Sequence, residues 1–354
     1  MNNDSRHQSG FSLVELMVAT VIGLLLSYAV LEIYLAQSQL YKTANSQDRI
    51  QSSENAIANL IAPVIRSAGF TGCGNIVNSV SILNAGGPSP IGSINTNPTM
   101  IAGYSGGTSS ITLSQSNPAN SSNANQWTPT LDASLVGSVQ QGNDVLVILG
   151  SAPNSIPLSI ATIDSGSSSL TVQSMNGTTV VNGQFGAVSD CIKSVIFKIT
   201  GIAGTTIVHD TGTGVLENSS SSFPVNFQVG SQFVQMQQTA FFVGQGQGGQ
   251  SALMRARLVG NSWNVEPLIP GVSLMKIQYG IGSNGVANRY VTANAITDWS
   301  QVYSVRLGFL IEGQVGSGMT TDQHRVLDTV VNVPADHRLR HVFEMTINLR
   351  NAIL

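Results

Sequence analysis

Three stretches of the chain spell catalytic or ligand-binding chemistry. Gly103-Tyr104-Ser105-Gly106-Gly107 reads as the Gly-x-Ser-x-Gly elbow that exposes a nucleophilic serine. That elbow works only on a strand-to-helix turn, with a histidine and an acid later in the chain. Here Thr108-Ser109-Ser110 leads into strand-like Ile111-Thr112-Leu113, so the helix is missing and Ser105 is expected to be a chance spelling. Gly244-Gln245-Gly246-Gln247-Gly248-Gly249 resembles a phosphate cradle. No Lys-Ser/Thr follows it, and residues 251–259 read as a strand, so no helix N-terminus faces the glycines and a hairpin tip is expected. His337 and His341, four apart beside Asp336 and Glu344, would share a helical face and bind zinc only with a third ligand. The alternation from Val342 onward says strand instead, which makes both histidines surface or sheet-edge residues. Asp210, Asp298, Asp322 and Asp328 fall in or near loops, without the spacing of a calcium loop. The expectation is a chain with no catalytic residue, no cofactor and no metal.

Other residues carry more weight. Glu15 is the only charge between Phe11 and Leu31, a run with no proline and about twenty apolar positions. In helical form that run spans about 30 Å, enough to cross a bilayer's hydrocarbon. A lone carboxylate there costs about 2.5–3.5 kcal/mol and calls for a cationic partner. Cys73 and Cys191 both follow this segment. They form one disulfide if the body lies in an oxidising compartment, or remain two separate buried thiols.

Composition narrows the classes further. Charged residues make up 9% of 354, the net charge is −3, and lysine occurs only at 42, 193, 198 and 276. No polybasic surface exists to bind nucleic acid, while 42% hydrophobic content supports a folded body. Arg6 against Asp4 gives a weak positive-inside bias, with the N-terminus in the cytoplasm.

The elements follow from periodicity. Residues 11–67 read as one long helix, transmembrane over 11–31 and amphipathic beyond, with a stripe of Ile50, Ile57, Leu60, Ile61 and Val64 behind Tyr41 and Ala44. Pro63 should kink this helix or mark its last turns. Strands are expected at 144–149, 156–163, 169–173, 194–200, 233–243, 251–259, 272–281, 302–311, 326–333 and 342–349. In the last, Phe343, Met345, Ile347 and Leu349 line one buried face. The fold class is therefore α+β: a long N-terminal helix on a β-rich, largely antiparallel domain from 68 to 354, in one unit or in two sub-sheets joined near 215–223.

Against this background the N-terminus resembles a known signal. A polar leader ending in Gly10, then Phe11, then Glu15 inside an apolar helix looks like the class III signal of type IV pilins and type II secretion pseudopilins. The resemblance implies cleavage between Gly10 and Phe11 by a prepilin peptidase, methylation of Phe11, and pairing of Glu15 with an N-terminal ammonium during assembly. Residues 1–10 would then be a leader. Three later stretches are similar to the PilW group of minor pilins: Arg66-Ser67-Ala68-Gly69-Phe70 leading into Gly72-Cys73; Pro270-Gly271-Val272 with Met275-Lys276-Ile277-Gln278-Tyr279-Gly280; and Arg338-Leu339-Arg340-His341-Val342-Phe343 through Leu349-Arg350-Asn351. This implies a non-enzymatic minor pilin in the tip or priming complex of a type IV pilus. Its partners would be other minor pilins, the major pilin, the inner-membrane assembly platform and a tip adhesin. It would sit in the inner membrane with a periplasmic body before entering the fibre. Two rivals remain: a J-like minor pseudopilin of type II secretion, and a membrane-tethered periplasmic hydrolase or binding module in which Ser105 is the first residue to test.

Overall fold

The computed structural model describes residues 12–73, 76, 79–84, 98–107, 109–113, 119–153, 155–318 and 323–352. One helix, Leu13–Arg66, opens the chain and is 54 residues long, about 81 Å. Ser12 caps it: its hydroxyl accepts from the Glu15 N–H at 3.2 Å, and the Glu15 carboxylate accepts from the Ser12 N–H at 3.1 Å. This reciprocal pair satisfies two of the donors that a helix start leaves free. Pro63 lies in the last turn, and the Ser67 N–H still reaches the Pro63 carbonyl at 3.0 Å, so the proline marks the end of the helix.

Only the second half of the helix packs. Its buried residues are Ser46, Ile50, Ile57, Ile61, Ala62 and Ile65. The seam therefore steps by four through Ile57, Ile61 and Ile65, and Val64 lies at its margin. Leu60, expected within the stripe, is 38% exposed, and Tyr41 and Ala44 are exposed as well. At about 100° per residue, Leu60 falls outside the arc that the three isoleucines define.

The body is organised by the strand Gln232–Gln245. Its first residues pair antiparallel with Phe185–Ser189 and Leu158–Ile163, and its later ones lie between Val145–Ser151 and Ser251–Val259. One strand thus runs through both halves of a twelve-stranded sheet, so the halves are joined along it and not near 215–223. A four-stranded sheet orders Val286–Val291, Val272–Ser283, Val302–Glu312 and Arg340–Asn348; a small third sheet joins His324–Val326, Thr329–Asn332 and Ser110–Thr112. Among the described strand pairs only two run parallel, Ser79–Ser81 with Ser194–Lys198 and Thr329–Asn332 with Ser110–Thr112. The expected class, one long helix before a strand-rich and mostly antiparallel domain, is the one observed.

Some strand expectations needed correction. The stretch 326–333 is not one strand: it holds the turn, at Leu327 (φ +51°) and Asp328, and the second strand of a hairpin begun at His324, because an apolar run of that length does not reveal a bend on its own. Ser262–Pro270 was missed: Pro267 and Pro270 argue against a strand, yet it pairs with only one neighbour, and an edge tolerates proline.

Three clusters fill the interior. The largest joins the helix seam to both large sheets through Trp127, Phe241, Ile277, Leu307 and Ile347. The smallest, Leu274, Leu310, Val326 and Val331, lies between the four-stranded sheet and the third. The second, under the outer part of the twelve-stranded sheet, holds Phe197, Phe223, Phe227 and Phe233. His209 is fully buried beside it, stacked on Phe223 with ring centroids 4.3 Å apart, and neither ring nitrogen has a partner. Burial brings its pKa from 6.5 down to about 4, against lesser opposing pulls from its own backbone and then from Asp210. A base whose folded pKa is depressed contributes its full stability above the unfolded pKa and loses it as pH falls through 6.5 towards 4. On the order of 2–3 kcal/mol should therefore disappear between pH 7 and pH 4. Thermal midpoints of the wild type and His209→Phe across that range check this; parallel pH profiles would contradict it.

Candidate functional site

The first half of the helix packs against no other part of the chain among the described residues. An 18-residue window in it has mean hydropathy 2.2 and none of it is buried; Leu13 is 74% and Leu24 71% exposed. The helix is long and apolar enough to cross a membrane. Contact with the body begins at Gln39, whose side-chain amide donates to the Gly316 carbonyl at 2.8 Å. Thr43 donates to the Ser317 carbonyl at 2.8 Å, and Ser46 accepts from the Gln314 N–H at 3.2 Å. Glu15 lies at the far end of the bare segment, oriented towards the N-terminus by its bond to Ser12. There it also gains from the helix dipole, which favours a negative charge in the first turn. Gly10 and Phe11, the expected processing residues, lie outside the described residues.

The cysteines are joined. Cys73, seven residues beyond the helix, is bonded to Cys191 in the turn between Phe185–Ser189 and Ser194–Lys198, with Cα atoms 4.6 Å apart. The bridge fastens the chain leaving the helix to the outer half of the large sheet.

The serine motif has a structural explanation. Ser105 follows the strand Ile101–Tyr104 and exchanges backbone hydrogen bonds with Thr128 at 2.9 Å, so no helix follows it. Gly103 is required because a Cβ there would overlap the Tyr279 hydroxyl, and Gly106 because one would overlap the Asn143 carbonyl. Tyr279 is itself fully buried, edge-on to Trp299 at 4.9 Å. The two glycines thus serve close packing, not a nucleophile turn.

Beside Ser105 lies a feature that sequence reading missed. Lys276 and Asp144 form a buried ion pair, 3.1 Å apart, with side chains only 6% and 4% exposed. The Lys276 ammonium also donates to the Gly107 carbonyl at 3.1 Å. Asp144 accepts from the Gly106 N–H at 2.9 Å and the Ile277 N–H at 2.8 Å, and neighbouring Asn143 accepts from the Met275 N–H at 2.7 Å. These bonds pin the strand Val145–Ser151 of the large sheet to Val272–Ser283 of the four-stranded one. Burial pushes the Asp144 carboxyl upward, while Lys276 and the two N–H donors pull it down. The signal was present: Lys276 is the only charge in the expected strand 272–281, and a lysine buried in such a strand must have a partner.

The remaining candidates separate. His337 sits in a loop at φ +53°, whereas His341 is on the last strand, where its Nδ1 meets Glu54 of the helix at 2.5 Å. Among the described residues no three of His, Cys, Asp or Glu converge on a metal position. Gly244 and Gln245 end the strand Gln232–Gln245, and Gly246–Gly249 lie in the tip of its hairpin with Ser251–Val259. Asp298 caps Trp299–Gln301 through Ser300, Asp328 accepts from Gln278, and Asp322 lies outside the described residues. Arg340 is 8% exposed: it grips Asp336 with two bonds, at 2.9 and 2.7 Å, and Glu312 at 2.8 Å. Although burial opposes it, these bonds and the Arg338 N–H hold the Asp336 carboxyl below the usual range.

Comparison with known proteins places signatures at both ends. Residues 5–30 match the prokaryotic N-terminal methylation motif, and residues 240–351 match the family model described as type IV pilus-assembly protein W, PilW. No curated protein matches the chain. Among solved structures, a type IV-like pilin from Thermus thermophilus is similar at 16% identity, over 49% of this chain and 87% of its own, with a TM-score of 0.24, too slight to argue from. The PilW match runs from within the organising strand to the end of the last one, and so includes the second and third stretches read above but not 66–73. This chain thus joins a prepilin-type methylation motif, on a bare apolar helix, to a body whose last third is similar to the type IV pilus-assembly protein W family.

Proposed function

We propose that this protein is cut after Gly10, methylated at Phe11, and assembled through its helix into the tip or priming complex of a type IV pilus. The observation that carries this is the bare half of the helix, exposed and mostly apolar, with its first hydrogen bond to the described body at Gln39. Before assembly it is held in the inner membrane with a cytoplasmic N-terminus and a periplasmic body. The helix is then drawn from lipid into contact with the helices of other minor pilins and the major pilin, on the inner-membrane platform. Glu15 attracts a neighbour's N-terminal ammonium; in low dielectric this pairing fixes axial register, although desolvation offsets much of its strength. A large β body suits a tip, where lateral packing is relaxed and a tip adhesin can dock. The role is structural, not enzymatic, and a Ser105 without an elbow supports that.

The test is Glu15→Ala in the native host. Intact mass should still show a methylated Phe11 terminus, while the amount in sheared pili falls at least tenfold. Wild-type incorporation would remove the role given to Glu15, and a retained Met1 would remove the processing step. Loss of twitching in a deletion strain, with secretion intact, distinguishes the pilus from a type II secretion machine.

A further inference from the structure

Beyond the buried ion pair the fold leaves a cavity of about 260 Å³, bordered by Ser105, Lys276, Gln278, Thr292, Asn294 and Thr329. It is half-open to solvent and lined by fixed side chains. Ser105, Lys276, Gln278 and Thr329 are each more than nine-tenths buried, at 8%, 4%, 6% and 7% exposure, yet all border the space. Two of them are held in place by neighbours that also line the space: Lys276 by Asp144 and the Gly107 carbonyl, and Gln278 by Asp328. Four separate regions of the chain converge here: the end of Ile101–Tyr104, the strand Val272–Ser283, the loop before Ala293–Ala295, and the turn of the last short hairpin.

We propose that this cavity binds one neutral sugar ring or an equivalent small polyol. Charge argues against an anion, because Asp144 balances Lys276 and the remaining ionised group at the rim is the carboxylate of Asp328. Ile277 and Leu327 supply apolar side chains to the lining, which suit the C–H faces of a sugar ring. Beside them stand hydroxyl and amide groups, plus one ammonium that donates to Asp144 and the Gly107 carbonyl and keeps a third N–H. Such groups match the alternating donors and acceptors of ring hydroxyls. The volume falls just under the 300–1,000 Å³ or so of drug-sized pockets, which suits one ring and not a chain. A stacking surface adjoins it. Gln278 is paired across the sheet with Arg306, and the Arg306 guanidinium lies over the Tyr290 ring at 4.2 Å, on the same face. A second ring leaving the cavity would meet that face. The inference is independent of how the protein is assembled.

The experiment is saturation-transfer NMR on the full chain in a detergent without a sugar headgroup, against neutral hexoses, hexuronates and inorganic phosphate. At least one neutral hexose should show transfer, with a dissociation constant on the order of 1 mM and about tenfold weaker binding in Asn294→Ala and Gln278→Ala. Asn294 is exposed, so its variant keeps the test decisive even where the buried Gln278 variant misfolds. No transfer from any neutral hexose at tens of millimolar would overturn the proposal. So would binding that is confined to hexuronates or phosphate, or binding that Asn294→Ala leaves unchanged.

Discussion

Asp144→Ala should cost about 3–5 kcal/mol of stability, the penalty for leaving one charge of a buried pair without its partner. Lys276 would retain the Gly107 carbonyl, but its ammonium would sit uncompensated in a site 4% exposed. The N–H groups of Gly106 and Ile277 would lose their acceptor at the same time. Domains of this kind are stable by about 5–15 kcal/mol in total, so this one change removes a large share of it. The effect should be greatest at the seam between the twelve- and four-stranded sheets, because Asn143 and Asp144 bind backbone across it. Denaturant unfolding of the full chain in detergent measures the loss. The double variant Asp144→Ala, Lys276→Met should recover part of it, since it removes the orphaned charge. A single variant within about 1 kcal/mol of wild type would show that the pair does not hold the sheets together.

Loss of the disulfide should be comparable in size. Cys73 and Cys191 are 118 residues apart in sequence, and closing such a loop restricts the unfolded chain by about 4–5 kcal/mol in the chain-entropy model. The double variant Cys73→Ser, Cys191→Ser should lower the thermal midpoint by several degrees. It should also expose residues 67–73 to proteolysis, since the bridge holds the chain just past the helix against the sheet. An unchanged midpoint, with no new cleavage near the end of the helix, would contradict this. The alternative of two separate buried thiols is not what the structure contains.

The long helix and the antiparallel body were legible because periodicity is local. Apolar residues at helical spacing and the alternation through Phe343, Met345, Ile347 and Leu349 each report an element without knowledge of its neighbours. Which residues close the helix seam was less legible. Leu60 and Ile65 are equally apolar, and only the placement of the sheet decides that Ile65 is buried and Leu60 is not. The edge strand Ser262–Pro270 was hidden by its prolines, whose cost depends on there being no outer neighbour. Least legible was the Asp144–Lys276 pair, which joins residues 132 apart through a contact between sheets. Sequence could mark Lys276 as out of place in its strand but could not say what answered it. The glycines around Ser105 show the reverse error: their spacing imitates a catalytic turn, while Tyr279 and Asn143 supply the physical reason for them.

The grip of residues 314–317 on the helix also determines where the body rides. From Leu13 to Gln39, the first residue they hold, there are 26 steps, about 39 Å of helix. A bilayer's hydrocarbon takes up about 30 Å of that, leaving about 9 Å, little more than one headgroup layer. Set in a membrane, the protein therefore has no free stalk. The collar at Gln314, Gly316 and Ser317 would rest on the lipid surface, and leaving the bilayer would lift the whole body by the depth to which the helix is withdrawn.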